Sequence, residues 1–257
     1  MSSKSVAVVG VTGAVGQEML AVLEARDFPL SGIRPLASER SAGKTVQFKG
    51  EELPVEVLGQ NSFSGIDLAL FSAGASISRE YAPLAVDSGA VVVDNSSAFR
   101  MDPEIPLVVP EVNSGAIAGH QGIIANPNCS TIIMVVALQP IQELSPLTRV
   151  VVSTYQAASG AGAKGMDALR RELAGEQLDD SPFPHRLAGN LVPRIDVVQD
   201  DGYTKEELKM TLETRKIMGL GQVPISATCV RVPVERAHSE SIQVSTESPL
   251  DISAIRE

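Results

Sequence analysis

The chain has 257 residues, 44% hydrophobic and 20% charged, with 31 acidic against 21 basic side chains and a formal net charge of −10. That length holds one large α/β domain or two medium ones, and the composition is that of a globular protein able to bury a substantial core. The acidic balance leaves no Lys/Arg-rich stripe to displace counterions from phosphates, which excludes nucleic acid as a partner. The longest apolar run, residues 132–138, is far too short to cross a bilayer, and the opening MSSKSVAVVG enters a strand-like segment without a hydrophobic leader. No membrane contact and a cytoplasmic location are therefore expected. Two cysteines, Cys129 and Cys229, cannot build a disulfide framework, and His120, His185 and His238 are too scattered to spell a Cys/His metal cluster, so no metal is expected.

In chain order, residues 6–9 read as a strand and residues 14–26 as a helix with Val15, Met19, Val22 and Leu23 on one side, the opening of a βαβ unit. Between them VAVVGVTGAVGQEML sets Gly10, Gly13 and Gly16 where N–H groups at a helix start can approach a pyrophosphate. The spacing is GxxGxxG rather than the common GxGxxG, so a plain tight βα turn stays open as an alternative; the position directly after the first strand favours a cofactor loop. The next strand, 33–37, runs on as SERSAGK. Where an NAD site usually has an acid for the ribose 2′-hydroxyl, Ser38, Arg40 and Ser41 surround Glu39, a set suited to a 2′-phosphate, so NADP is expected. Further strands fall at 67–71, 90–93 and 122–125, with a helix at 78–87. The alternation predicts a doubly wound, mostly parallel, Rossmann-type α/β sheet.

A domain boundary is placed near Asn128, giving 1–128 as the dinucleotide-binding domain and 129–257 as the second. NPNCSTIIMVVALQPI puts Cys129 at the start of an apolar helix, where the dipole and unpaired N–H groups favour thiolate and could also serve an oxyanion. The competing reading, a small buried hydrophobe, fits Cys229 in ATCVRVPV. A strand at 149–156 leads into a Gly-rich turn, ASGAGAKG, and an irregular stretch around SPFPHR. Thr204 and Glu207 have capping-box spacing, with Gly219 at the helix stop. On that helix Glu213 and Lys216 share a face, by themselves an ordinary ion pair. Strands at 227–234 and 241–246 follow; in the first, Arg231 faces away from Val230, Val232 and Val234 and could grip a carboxylate with paired donors.

The ordered motifs GVTGAVG, DNSSAFRMD, NPNCST, TYQAASGAG, GYTKEELKMTLETRKIMG and CVRVPV followed by His-Ser resemble the bacterial aspartate-semialdehyde dehydrogenase family, over about residues 5–247. The resemblance implies a second, α+β catalytic and dimerisation domain, incomplete at its C-terminus, since family chains continue well beyond a segment like STESPLDISAIRE. It implies that Cys129 is the nucleophile, that Gln156 orients the acyl-enzyme and that His238 is the acid/base, a task for which an imidazole is chemically apt. It assigns NADP to Gly10, Thr12, Gly13, Ala14, Val15, Gly16, Ser38, Arg40, Ser41, Ser159 and Gly160. Arg231 is implied for the substrate carboxylate, Glu213 for its ammonium, and Lys216, Arg100 and Asn128 for the phosphate end. The family usually has glycine before the histidine, where this chain has Ala237.

The implied reaction is reductive dephosphorylation of L-aspartyl-4-phosphate to L-aspartate 4-semialdehyde through a cysteine thioester, in lysine/diaminopimelate, methionine, threonine and isoleucine biosynthesis, by a homodimer or homotetramer. Two alternatives remain at this point. N-acetyl-γ-glutamyl-phosphate reductase shares the thioester chemistry, but Glu213 favours a substrate with a free ammonium. An inactive, shortened cofactor-binding homologue is the other.

Overall fold

A computed structural model describes residues 3–256. The chain divides into two compact units: one runs to Val108 and takes up Gly115–Pro127, the other takes Val109–Ser114 and everything from Asn128 onward.

The first unit is built on β1 (Lys4–Val9), β2 (Leu30–Ala37), β5 (Glu56–Val57), β6 (Leu68–Phe71), β7 (Val91–Asp94) and β8 (Ile123–Ala125), with helices α1 (Ala14–Ala25) and α2 (Ala75–Asp87). All its neighbouring strands pair in parallel, in the order β5-β2-β1-β6-β7-β8. Both faces of such a sheet are covered, which is why β1 reads as a continuous apolar run rather than an alternation. Ala7 and Val9 enter one core with Ala69, Phe71, Ala82 and Ala85, while Val6 and Val8 enter another with Leu20 and Val46. Phe63 and Phe71 stack with centroids 5.8 Å apart. Because the chain leaves β1 first towards β2 and later returns to β6 on the other side, the strand order reverses between β1 and β6, and the crevice at their carboxyl ends is where a doubly wound sheet binds ligands.

The structure departs from the sequence reading in places. A hairpin of β3 (Thr45–Phe48) and β4 (Glu51–Pro54) was not anticipated, and α2 begins at Ala75 rather than 78, after Gly74 in a positive-φ conformation.

The second unit holds α3 (Pro110–Asn113), α4 (Cys129–Leu144), β9 (Leu147–Gln156), α5 (Gly162–Leu173), α6 (Lys205–Met218), β10 (Ile225–Arg231), β11 (Ser239–Thr246) and α7 (Ile252–Arg256). Its sheet has the order β10-β9-β11, β10 parallel and β11 antiparallel to β9. Met134 and Leu138 of α4 and Met210 of α6 pack with Val150, Val152, Ala227 and Cys229 of the sheet. Along β9 the residues that alternate with this buried set leave Arg149 and Tyr155 exposed.

The capping box of α6 forms as read, with Gly219 in the left-handed conformation at its end. The Gly-rich stretch read as a turn instead enters α5, whose Gly165 lies so close to the Ala158 carbonyl that a Cβ would approach it to 2.5 Å. Close packing overrides the weak helix propensity of glycine there. The irregular stretch after α5 is pinned by the buried Glu172, which accepts the N–H groups of Leu187 and Ala188 at 2.7 and 2.9 Å. Strand β10 ends at Arg231, short of the expected 234. Among the described residues no helix is long and apolar enough to cross a membrane, and no group of three or more His, Cys, Asp or Glu could hold a metal.

Candidate active site

Cys129 is the first residue of α4 and is exposed. The helix is capped by Asn128, whose Oδ1 accepts the N–H groups of Ser130 and Thr131 at 3.0 and 3.3 Å. Those two donors are therefore committed to the cap. This narrows the expectation that helix-start N–H groups serve an oxyanion, since a carboxamide has already satisfied those of Ser130 and Thr131.

Asn128 is itself held from α6. Its backbone N–H donates to Glu213 Oε2 at 2.6 Å and its Nδ2 to Glu206 Oε1 at 2.9 Å. Gln156, at the end of β9, donates its Nε2 to the same Glu206 Oε1 at 3.0 Å and accepts from the Thr154 hydroxyl at 2.9 Å. Asn128, Gln156, Glu206 and Glu213 are all at least nine-tenths buried. Burial pushes the Glu206 carboxyl up, but Lys209 and the Asn128 and Gln156 donors together outweigh it and hold the carboxyl below its ordinary range. Lys209 reaches Glu206 Oε2 at 3.1 Å and Asp196 Oδ2 at 2.8 Å.

Arg231 is buried on the β10 face that also carries Ala227 and Cys229. This corrects the expected division of faces: the strand ends at Arg231, so Val232 and Val234 do not continue it, and the guanidinium points to the side that packs rather than away from it. Its Nη1 donates to the Ala157 carbonyl at 2.7 Å, and its guanidinium lies 5.9 Å from the centroid of the Phe183 ring. Burial lowers its pKa, while Glu206, Cys129 and Cys229 act in the opposite direction. The last effect places Cys129 and Arg231 within electrostatic reach of each other.

His238 follows Ala237, which adopts φ +70, a conformation that favours glycine. Its Nδ1 accepts the Ala157 N–H at 3.0 Å, so the neutral ring carries its proton on Nε2. Burial first and then Arg231 lower its pKa, against a smaller upward pull from Glu206. Gly160 lies beside both groups: a Cβ there would meet Arg231 Nη1 at 2.5 Å and His238 Cε1 at 3.4 Å. Ser159, next to it, is half-buried and donates its N–H to the Glu235 carbonyl at 3.0 Å.

In the first unit the glycine turn follows β1. Gly10 sits at φ +83, and its N–H and that of Val11 donate to the Leu36 carbonyl. Gly16 is needed for a different reason, since a Cβ there would meet the Gly10 carbonyl at 2.4 Å and Val11 Cα at 2.7 Å. Helix α1 then starts at Ala14 and Val15 with Gly13 as its cap and no side chain accepting the first-turn N–H groups, an arrangement that fits a pyrophosphate. Thr12 Oγ1 and Ser41 Oγ are 3.2 Å apart, tying the turn to the short 3-10 helix Glu39–Ser41, where Ser38 and Arg40 are exposed after the end of β2. Arg100 is buried in this unit. Its Nε donates to Asn126 O and its Nη2 to Asn95 O, both at 2.9 Å. The turn that carries it is organised by the buried Asp94, which accepts from Ser78 and twice from Ser96.

The second unit thus gathers Asn128, Cys129, Gln156, Gly160, Glu213, Arg231 and His238, with Lys216 half-buried on α6, one turn beyond Glu213. Sequence reasoning missed Glu206, Thr154 and Lys209. The only trace of Glu206 was its position in the first turn of a capped helix, where an acid is explained by the dipole alone.

A dinucleotide-type unit joined to one that presents a cysteine at a helix start, a buried arginine and an imidazole is the plan of the semialdehyde dehydrogenases. The chain matches the semialdehyde dehydrogenase NAD binding domain over residues 5–120 and the semialdehyde dehydrogenase dimerisation domain over 138–257. It is 54% identical to the aspartate-semialdehyde dehydrogenase of Aquifex aeolicus, across 98% of this chain and 76% of that protein, and belongs to the aspartate-semialdehyde dehydrogenase family. Its fold superposes on aspartate semialdehyde dehydrogenase II from Vibrio cholerae complexed with ASA, with a TM-score of 0.96 and 46% identity, covering 100% of this chain and 78% of that one. The enzyme from Candida albicans with NADP matches at a TM-score of 0.73 and 26% identity, over 97% of this chain and 73% of that one.

Proposed function

We propose that this protein is a cytoplasmic, homodimeric aspartate-semialdehyde dehydrogenase that converts L-aspartyl-4-phosphate to L-aspartate 4-semialdehyde with NADPH, for lysine, methionine, threonine and isoleucine biosynthesis. The observation that carries the reading is Cys129 at the exposed start of α4, within electrostatic reach of the buried Arg231. The helix dipole and a nearby guanidinium favour the thiolate, which is the nucleophilic form.

The Cys129 thiolate attacks the acyl carbon, the carbon–oxygen bond to phosphorus breaks and phosphate leaves, so one difficult substitution becomes two easier steps through a thioester. NADPH, when bound, would supply a hydride to the thioester carbon, after which the carbon–sulfur bond breaks, releasing the aldehyde and returning the Cys129 thiolate. Arg231 orients the substrate carboxylate and Glu213, a buried carboxylate, receives its ammonium. That ammonium site supports the aspartyl substrate over an N-acetylated one. Lys216, Arg100 and Asn128 serve the phosphate end. His238 donates from Nε2 to the oxygen that gains charge, because its Nδ1 is taken by the Ala157 amide, and Gln156 aims its remaining amide hydrogen at the acyl group. Gly10, Thr12, Gly13, Ala14, Val15 and Gly16 cradle the pyrophosphate. Ser38, Arg40 and Ser41 read the 2′-phosphate, and Ser159 and Gly160 border the nicotinamide end.

Replacing Cys129 by serine tests this reading, since a serine hydroxyl stays protonated and is a poor nucleophile. Phosphate-dependent NADP reduction with aspartate semialdehyde should fall by about 10³-fold or more with the thermal melt unchanged. Undiminished turnover would end the thioester proposal.

A further inference from the structure

Glu206 is a buried acid with no part in the chemistry just described, yet one of its oxygens, Oε1, takes a hydrogen bond from each of two site carboxamides, Asn128 at 2.9 Å and Gln156 at 3.0 Å. We infer that Glu206 is a positioning residue for the reaction: by accepting from both, it fixes in one place the cap of the nucleophile helix and the orientation of the amide that faces the acyl group.

A carboxylate can only accept, so the NH₂ end of each neighbouring carboxamide must turn towards it. For Asn128 this leaves Oδ1 facing the Ser130 and Thr131 N–H groups, the cap that holds the start of α4 and so the backbone of Cys129. For Gln156 it leaves Oε1 towards the Thr154 hydroxyl and one amide hydrogen for the substrate. The other carboxylate oxygen is held by Lys209, which Asp196 holds in turn. Two amide orientations that ordinary packing would leave degenerate are thus set by one charge. The charge also acts on its surroundings, opposing the burial that lowers the pKa of His238 and Arg231 and adding to the burial that raises that of the Cys229 thiol.

A glutamine at 206 cannot reproduce this. With its oxygen towards Asn128 and Gln156 it would present an NH₂ group to the Lys209 ammonium; turned the other way, it would set donor against donor and force both carboxamides to flip.

This inference rests on the roles proposed for Cys129 and Gln156, and a double-mutant cycle separates the two. Glu206→Gln should lower kcat about tenfold or more, with KM for the semialdehyde within about twofold, because the residue orients the site rather than gripping the substrate. In a Gln156→Ala background the same change should cost less than about threefold, since part of what Glu206 holds is already gone. Equal losses in both backgrounds overturn the inference alone; full turnover in Gln156→Ala overturns the role of Gln156 and this inference with it.

Should Glu206→Gln not fold, Lys209→Met keeps the carboxylate but removes the charge that offsets its burial. The Glu206 carboxyl then takes up a proton at higher pH, so Lys209→Met should show a loss of kcat on acidification that persists when His238 is also replaced by alanine and the limb of the imidazole is gone. A Lys209→Met, His238→Ala protein with no such loss on acidification overturns the inference.

Discussion

The Ala157 backbone N–H points at Nδ1 of His238 from 3.0 Å, which fixes the imidazole as the tautomer with its proton on Nε2. A second proton would have to sit on Nδ1 against that N–H, in a place where burial and Arg231 already oppose positive charge. The ring therefore stays neutral to a pH below the ordinary histidine range. Turnover that depends on the neutral ring should persist into mildly acid solution and fail only as pH drops through that lowered pKa. His238→Ala should reduce kcat by about 10²-fold and abolish this limb. A kcat–pH profile of the two proteins checks it, and an identical profile in the alanine variant would remove His238 from the reaction.

Arg231→Lys keeps the charge but not the planar pair of donors, one of which is committed to the Ala157 carbonyl. KM for aspartate semialdehyde should rise by about tenfold or more. Steady-state kinetics decide the matter, and an unchanged KM would leave Arg231 as a packing residue over Phe183.

Arg40 is exposed beside Ser38 and Ser41 at the end of β2, and Ser41 is hydrogen-bonded to Thr12 of the glycine turn. Arg40→Ala should weaken NADPH about tenfold while NADH changes little. Fluorescence titration with each cofactor measures both, and equal losses would mean that Arg40 does not read the 2′-phosphate.

Glu240, on β11 opposite Thr154, has both carboxylate oxygens buried without a hydrogen-bond partner, and burial raises its pKa to about 8. The folded state holds a proton there that the unfolded chain gives up at ordinary carboxylate pH. Stability linked to this group is thus full at acid pH and declines as pH rises through about 8. Glu240→Gln, neutral throughout, should be more stable than the parent by about 1–2 kcal/mol at pH 9, with the difference vanishing at pH 4. Denaturant melts at the two pH values test this; the same difference at both would show that Glu240 does not titrate in this way.

Much of the first unit was legible because its signals are local. Strand runs, the three glycines and the short loop to Ser38 follow from backbone sterics and from a sheet buried on both faces. Gly16 could be located from its spacing, but only the packed turn shows that its missing Cβ makes room for the Gly10 carbonyl. Ala237 was noticed as a departure from glycine, and its φ of +70 gives that departure a physical cost in backbone strain.

By itself the sequence determined the parallel α/β plan, the capped α6 and the placement of Cys129 at a helix start, since each depends on residues within a turn or two of one another. Tertiary structure alone decided which nitrogen of His238 bears the proton, which side of β10 Arg231 faces and that Glu206 holds two carboxamides at once. The contacts of Glu206 and His238 join residues 50 to 81 positions apart, and the facing of Arg231 depends on where a strand ends. Such pairings have no sequence period to announce them; they exist only when α4, α6 and the three-stranded sheet bury their facing side chains, and burial then obliges every polar group among them to find a partner.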